Sequence, residues 1–185
     1  MKRFFALVLL LFFLAGCAPE TNSMDRAMAL RSKILASALC FEAQITADFG
    51  RQTYTFTVDC NFEKQGKLTF KIISPESIAG ISGVMDASGG ALTFDGQALS
   101  FPLLADGQVS PVSGPWVLMC ALRSGYLTSC SAEAGQMRLS IDDSYEKDAL
   151  HLDIWLDQED LPKQAEIFWR GRRVLSVTVT NFRFM

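Results

Sequence analysis

The chain changes its hydrophobic period once, near residue 39. Over residues 24–38 apolar side chains recur every three to four positions. Ala27, Leu30, Ile34 and Ala38 form one stripe, Ser23 stands where a cap is needed, and Asp25 lies in the first turn, so a helix is expected. Beyond it the period is two. Phe41, Ala43, Ile45 and Ala47 alternate with Glu42, Gln44, Thr46 and Asp48; after Phe49-Gly50-Arg51-Gln52, Tyr54, Phe56 and Val58 alternate with threonines and Asp59. This predicts a hairpin with one apolar and one wet face, and matching the apolar faces sets Phe41 opposite Cys60. Leu68, Phe70 and Ile72 continue the alternation up to Ser74-Pro75-Glu76, where proline ends the ladder. Asp95-Gly96 is the strongest turn signal and joins strands over 91–95 and 97–101. Further strands are expected over 136–142, 150–157, 164–169 and 174–184, the last two joined at Arg170-Gly171. A short buried helix opened by proline is expected over 115–123. Gly80, Gly83, Gly89 and Gly90 are assigned to turns.

Strand follows strand through short connections, so the sheet is antiparallel and not built from βαβ units. A long antiparallel sheet with one apolar face must curl, and its hollow must be filled. The expected architecture is mainly β: a single strongly curved antiparallel sheet of nine to eleven strands, an unclosed half-barrel, with the N-terminal helix and the short helix plugging its concave face. No composition break splits residues 24–185, which are expected to form one domain.

The first sixteen residues read differently. Met1-Lys2-Arg3 is basic, residues 4–14 are an unbroken apolar run too short for a permanent membrane span, and Leu14-Ala15-Gly16-Cys17 is similar to a bacterial lipobox. The expectation is a lipoprotein signal peptide at 1–16, an acylated Cys17 with a polar tether at 17–23, and an extracytoplasmic chain anchored to the bacterial cell membrane through that lipid. Removing Lys2 and Arg3 leaves five more acidic than basic groups, against a formal charge of −3 for all 185 residues. Such a balance argues against a nucleic-acid partner, which calls for a basic face.

Together the N-terminal helix, the long meandering strands, Ser74-Pro75-Glu76-Ser77-Ile78-Ala79-Gly80-Ile81, Ile154-Trp155-Leu156-Asp157, Leu161-Pro162-Lys163, Trp169 and the closing 177–184 segment resemble the LolA/LolB-type lipoprotein-carrier fold. They are most similar to the small lipoprotein branch of Gram-positive spore formers that includes germination lipoproteins. The resemblance implies an unclosed barrel, a helical lid and an apolar interior that receives acyl chains in the carrier members. Anchoring at Cys17 favours a membrane-attached acceptor or adaptor over a soluble shuttle.

A search for chemistry finds little. His151 shares a strand face with Asp153, Trp155 and Asp157, but no Gly-x-Ser-x-Gly accompanies it, and it reads as a solvated strand histidine. Asp157, Glu159 and Asp160 crowd a turn without EF-hand spacing. No catalytic residue, metal ligand or cofactor site is assigned. Cys40, Cys60, Cys120 and Cys130 allow three pairings, of which Cys120–Cys130 ranks first, with four free buried thiols as the alternative. The functional expectation rests on the apolar stripe. Ile45, Phe56, Phe70, Ile72, Phe94, Ile154 and Ile167 should face the hollow, with Trp116 and Met119 on the plugging helix, and bind an acyl chain, a lipid or a lipidated protein. The alternative is a filled core that leaves strand edges or loops to contact an envelope or spore protein.

Overall fold

A computed structural model describes residues 23–102, 104–105, 108–133 and 135–185. The signal segment, Cys17 and most of the tether lie outside them. The elements follow in the order α1 (Ser23–Ala36), β1 (Leu39–Asp48), β2 (Thr53–Phe62), β3 (Leu68–Ser74), β4 (Ser82–Asp86), β5 (Gly89–Phe94), β6 (Gln97–Phe101), β7 (Leu104–Ala105), β8 (Gln108–Val109), α2 (Gly114–Ser124), β9 (Tyr126–Glu133), β10 (Gln136–Asp142), β11 (Leu150–Leu156), β12 (Pro162–Trp169) and β13 (Arg172–Phe184).

Eleven strands form one antiparallel sheet in the order β6-β5-β4-β3-β2-β1-β13-β12-β11-β10-β9, while β7 and β8 make a separate ribbon. The outer strands β6 and β9 do not meet, so the sheet is a half-barrel and not a barrel. Its first and last strands pair at its centre, from Leu39 opposite Phe184 to Ala47 opposite Leu175. Two meanders therefore spread from one seam.

Local register follows the hydrophobic alternation. In the first hairpin Phe41 faces Cys60, Ala43 faces Val58 and Ile45 faces Phe56, as the matched apolar faces require. Asp95 and Gly96 both have positive φ, 47° and 75°, the backbone of a two-residue type I′ turn. The glycine assignment needs correction. Gly83 lies inside β4, and Gly89 and Gly90 lie in β5; only Gly80, at φ 92°, stays in a turn. The Phe70 ring covers Gly83, where an added Cβ would sit 2.5 Å from Phe70 Cζ, and the Phe101 ring covers Gly90 in the same way. These glycines admit an aromatic ring and do not bend the chain, which local sequence cannot distinguish. β9, with no clean alternation, was also not among the expected strands.

Both helices lie on the apolar side. Helix α1 buries Ala27, Leu30 and Ile34 and packs on α2 and β9; α2 packs on β2, β10 and β13 and buries Val117, Leu118, Met119, Ala121 and Leu122. Two polar links fix them. Arg31 of α1 donates to the carbonyls of Leu122 at 2.9 Å and Gly125 at 2.8 Å, supplying partners to the α2 C-terminus that the helix itself lacks. The Arg26 guanidinium pairs with Asp160, so that part of the acidic 157–160 turn serves to hold α1. Arg31→Met keeps the aliphatic stem and removes the donors; a loss of about 2 kcal/mol is expected from charged hydrogen bonds of this kind. Urea denaturation measures it, and an unchanged midpoint would show that water replaces the guanidinium without cost.

Candidate functional site

The apolar side of the sheet can be followed as one row. Phe41, Cys60, Phe70, Gly83, Leu92 and Leu99 are cross-strand neighbours in succession, from β1 to β6. Burial fades along it: Phe41 is 1% exposed, Phe70 4%, Leu92 half-buried and Leu99 66%. The cause is coverage. Helix α2 sits over the centre of the sheet and α1 over its β9 flank, whereas the β5–β6 hairpin extends past both.

This sorts the residues assigned to the hollow. Ile45, Phe56, Phe70, Ile72, Met119, Ile154 and Ile167 are brought together but are at most 7% exposed, packed in one core under the helices. Trp116 is partly buried at the core margin, and its indole N–H donates to the Gly66 carbonyl at 3.0 Å, pinning α2 to the β2–β3 turn. Phe94 keeps the parity of Leu92 and so the concave side, but it differs from these in being 59% exposed, on the outermost hairpin of the sheet. Among the described residues of this row and its hairpin, Phe94 and Leu99 are exposed and Leu92 is half-covered by the core. Leu99 was missed because Gln97 to Phe101 holds too few apolar positions for alternation to orient it.

Beside α2 lies a cavity of about 190 Å³ lined by Trp116, Val117, Cys120, Ala121, Ser124, Gly125 and Asp143. Burial pushes the Cys120 thiol up to about 12, and raises Cys60 further with help from the Asp59 charge, so neither is an activated nucleophile. Cys40, Cys60, Cys120 and Cys130 are unbridged in the structure: Cys120 lines this cavity, and Cys130 turns toward the core opposite Leu139. Cys40 instead accepts a hydrogen bond from Arg183 Nε at 2.9 Å.

On the outer side of β10 and β11 the lone histidine belongs to a network. His151 Nδ1 is 2.7 Å from Asp142 Oδ1, and Nε2 is 3.5 Å from Asp153 Oδ1. Asp153 accepts from Ser140 Oγ at 2.7 Å and Arg138 at 2.6 Å, and Arg138 also reaches Glu133. The serine donates to the carboxylate and not to the imidazole, so the order of a nucleophilic triad is not made. His151 remains 41% exposed, as a strand histidine facing water. Among the described residues no group of three or more His, Cys, Asp or Glu is placed to hold a metal ion.

No family model matches the sequence, and no curated protein matches it. Solved structures do. A DUF1329 family protein from Desulfovibrio piger is 11% identical with a TM-score of 0.50, over 91% of this chain and 94% of that one. A LolA superfamily protein from Nitrosomonas europaea is 11% identical, with a TM-score of 0.46 over 86% and 93%. An uncharacterized conserved protein from Thermus thermophilus is 12% identical, with a TM-score of 0.48 over 89% and 88%. At such identities the likeness is one of fold. The fold is an open, eleven-stranded antiparallel half-barrel with helices on its apolar side.

Proposed function

We propose that the protein is a membrane-anchored, non-enzymatic lipoprotein, attached outside the cytoplasmic membrane through acylated Cys17, that holds an acyl chain, a lipid or the lipidated end of another protein. The observation that carries this reading is the apolar row that leaves the core through half-buried Leu92 and ends exposed at Leu99, with Phe94 beside it. An acyl chain laid there gains area removed from water at about 25 cal/mol per Å². The buried members Ile45, Phe56, Phe70, Ile72, Trp116, Met119, Ile154 and Ile167 join the contact only where α2 gives way.

The two parts of the proposal are tested separately. Labelled palmitate should be incorporated by the chain and lost in Cys17→Ser; equal labelling of the variant would remove the anchor. Titration with a fluorescent fatty acid should saturate, and Leu99→Glu should weaken it about tenfold, the loss of about 1.4 kcal/mol of contact. The absence of saturable uptake would favour a second reading supported by the filled core: a module that contacts an envelope protein without a lipid ligand.

A further inference from the structure

The sheet has two edges, and they are protected unequally. At β9, α1 packs across the strand, and Glu133 ends it with a charge. Strand β6 pairs with β5 alone; Gln97, Ala98, Leu99 and Ser100 are exposed, and no residue of the strand is charged. Among the described residues none of the usual devices against strand addition lies along β6 itself: no lysine, no inward charge, no covering helix.

The register shows which backbone groups are free. Phe94 and Gln97 close a two-residue turn and form its hydrogen-bonded pair, so Leu92 and Leu99 form the next. Alternation leaves the N–H and C=O of Ala98 and Ser100 directed away from β5. Both side chains are small and lie opposite in sense to Leu99, on the convex side. There Ser100 joins Val84, Ala91, Ser88 and Asp86 in lining a cleft of about 440 Å³. The Asp86 carboxylate is held in place by the backbone N–H of Ser88 at 2.8 Å and its hydroxyl at 2.5 Å.

Charge selects the partner. From Ser82 to Phe101 the wing carries two acidic residues, Asp86 and Asp95, and no basic one, although Lys67, just before β3, also acts on Asp86. Pairing β6 with the β6 of a second copy would bring two such acidic wings together, which opposes self-association. We propose that the β6 edge accepts an added strand from another protein: an extended segment in which basic side chains alternate with apolar ones. Its backbone pairs with Ala98 and Ser100. Its basic residues stand over Ser100 and the cleft toward Asp86, within a Debye length of the carboxylate, and its apolar residues extend the Leu92–Leu99 row on the other face. The added strand borders the Leu92–Leu99 row, but its test reads the edge amides and Asp86 rather than acyl-chain uptake, so the two proposals can fail separately.

The test uses the full chain and a synthetic seven-residue peptide alternating valine with lysine or arginine, beside a control with glutamate at the basic positions. Hydrogen exchange at the Ala98 and Ser100 amides should slow about tenfold with the basic peptide. Ser100→Pro removes an outward N–H without breaking a ladder bond, and should weaken binding about tenfold while leaving the thermal midpoint within a few degrees. Asp86→Asn, which keeps the fold whatever the proline does, should weaken the basic peptide and reduce its salt dependence. Unchanged exchange at both amides, or equal binding of the glutamate peptide, would overturn the proposal. A concentration-dependent dimer abolished by Ser100→Pro, without peptide binding, would overturn it in favour of a second copy.

Discussion

Phe70→Ala should lower the stability of the protein by about 3–5 kcal/mol, the cost of an aromatic side chain removed from a packed core. Phe70 is 4% exposed and lies between Cys60 on β2 and Gly83 on β4, so its ring, together with the fully buried Met85 of β4, joins the β4–β6 wing to the core. For a chain of this size the loss corresponds to a fall of about 10 °C or more in the thermal midpoint. Gly83→Ala approaches the same contact from the other side. Its Cβ would meet Phe70 Cζ at 2.5 Å and the Ala91 carbonyl at 2.7 Å, and a cost of about 1–3 kcal/mol is expected from overpacking. The two changes should not add. With Phe70 truncated, the clash with the ring is gone and only the carbonyl contact remains, so Gly83→Ala should cost clearly less in that background. Denaturant unfolding of the two single variants and the double variant measures the coupling. Strict additivity would mean that the ring does not rest on Gly83.

That pair also shows where sequence pattern stops informing. Period-two alternation placed Phe41 opposite Cys60 and Ile45 opposite Phe56, because there each strand has one apolar and one polar face and a slip of one residue would invert both. β4 offers Ser82-Gly83-Val84-Met85-Asp86, in which the core position before Met85 is a glycine whose space is filled by the ring of Phe70, thirteen residues earlier in the chain. Local alternation carries no trace of that arrangement. The seam between β1 and β13 is invisible for a similar reason, since residues 39 and 184 meet only through the whole topology. For the site, the identity of the inward face was legible and its coverage was not. Phe94 and Phe56 have the same alternation signal, yet one is 59% exposed and the other 7%, because Phe56 lies on β2 in the central core and Phe94 on the hairpin at the edge of the sheet. The sequence likewise placed His151 on a face with Asp153, but Arg138 and Ser140 come from the neighbouring strand.

Asp153→Ala, which removes the centre of that outer network, is the second large effect expected, at about 2–4 kcal/mol. The side chain of Asp153 is 8% exposed and binds Arg138 at 2.6 Å and Ser140 at 2.7 Å. Truncation leaves the Arg138 guanidinium without its principal acceptor, with only Glu133 at 3.3 Å in reach. The pH dependence follows from the same contacts. Burial alone would raise the Asp153 pKa; the hydrogen bonds from Arg138 and Ser140, with the charge of Arg138, outweigh it and hold the carboxyl below its ordinary value of 3.8. A carboxyl with a lower pKa in the folded state adds stability above its unfolded pKa, and that stability is lost as pH falls through the folded value. The wild-type protein should therefore exceed Asp153→Asn in stability by a margin that shrinks as pH falls below about 4. Asp142, Glu133 and, across β12, Glu166 with its partner Arg173 also surround the group and are present in both proteins. The charge of His151, in contrast, acts on the Asp153 carboxylate itself and belongs to the wild-type margin. Urea unfolding of both proteins between pH 7 and pH 2.5 reads the margin directly. A margin that stays constant through this range would mean that Asp153 is not held as a carboxylate by Arg138, and that the network does not tie β10 to β11.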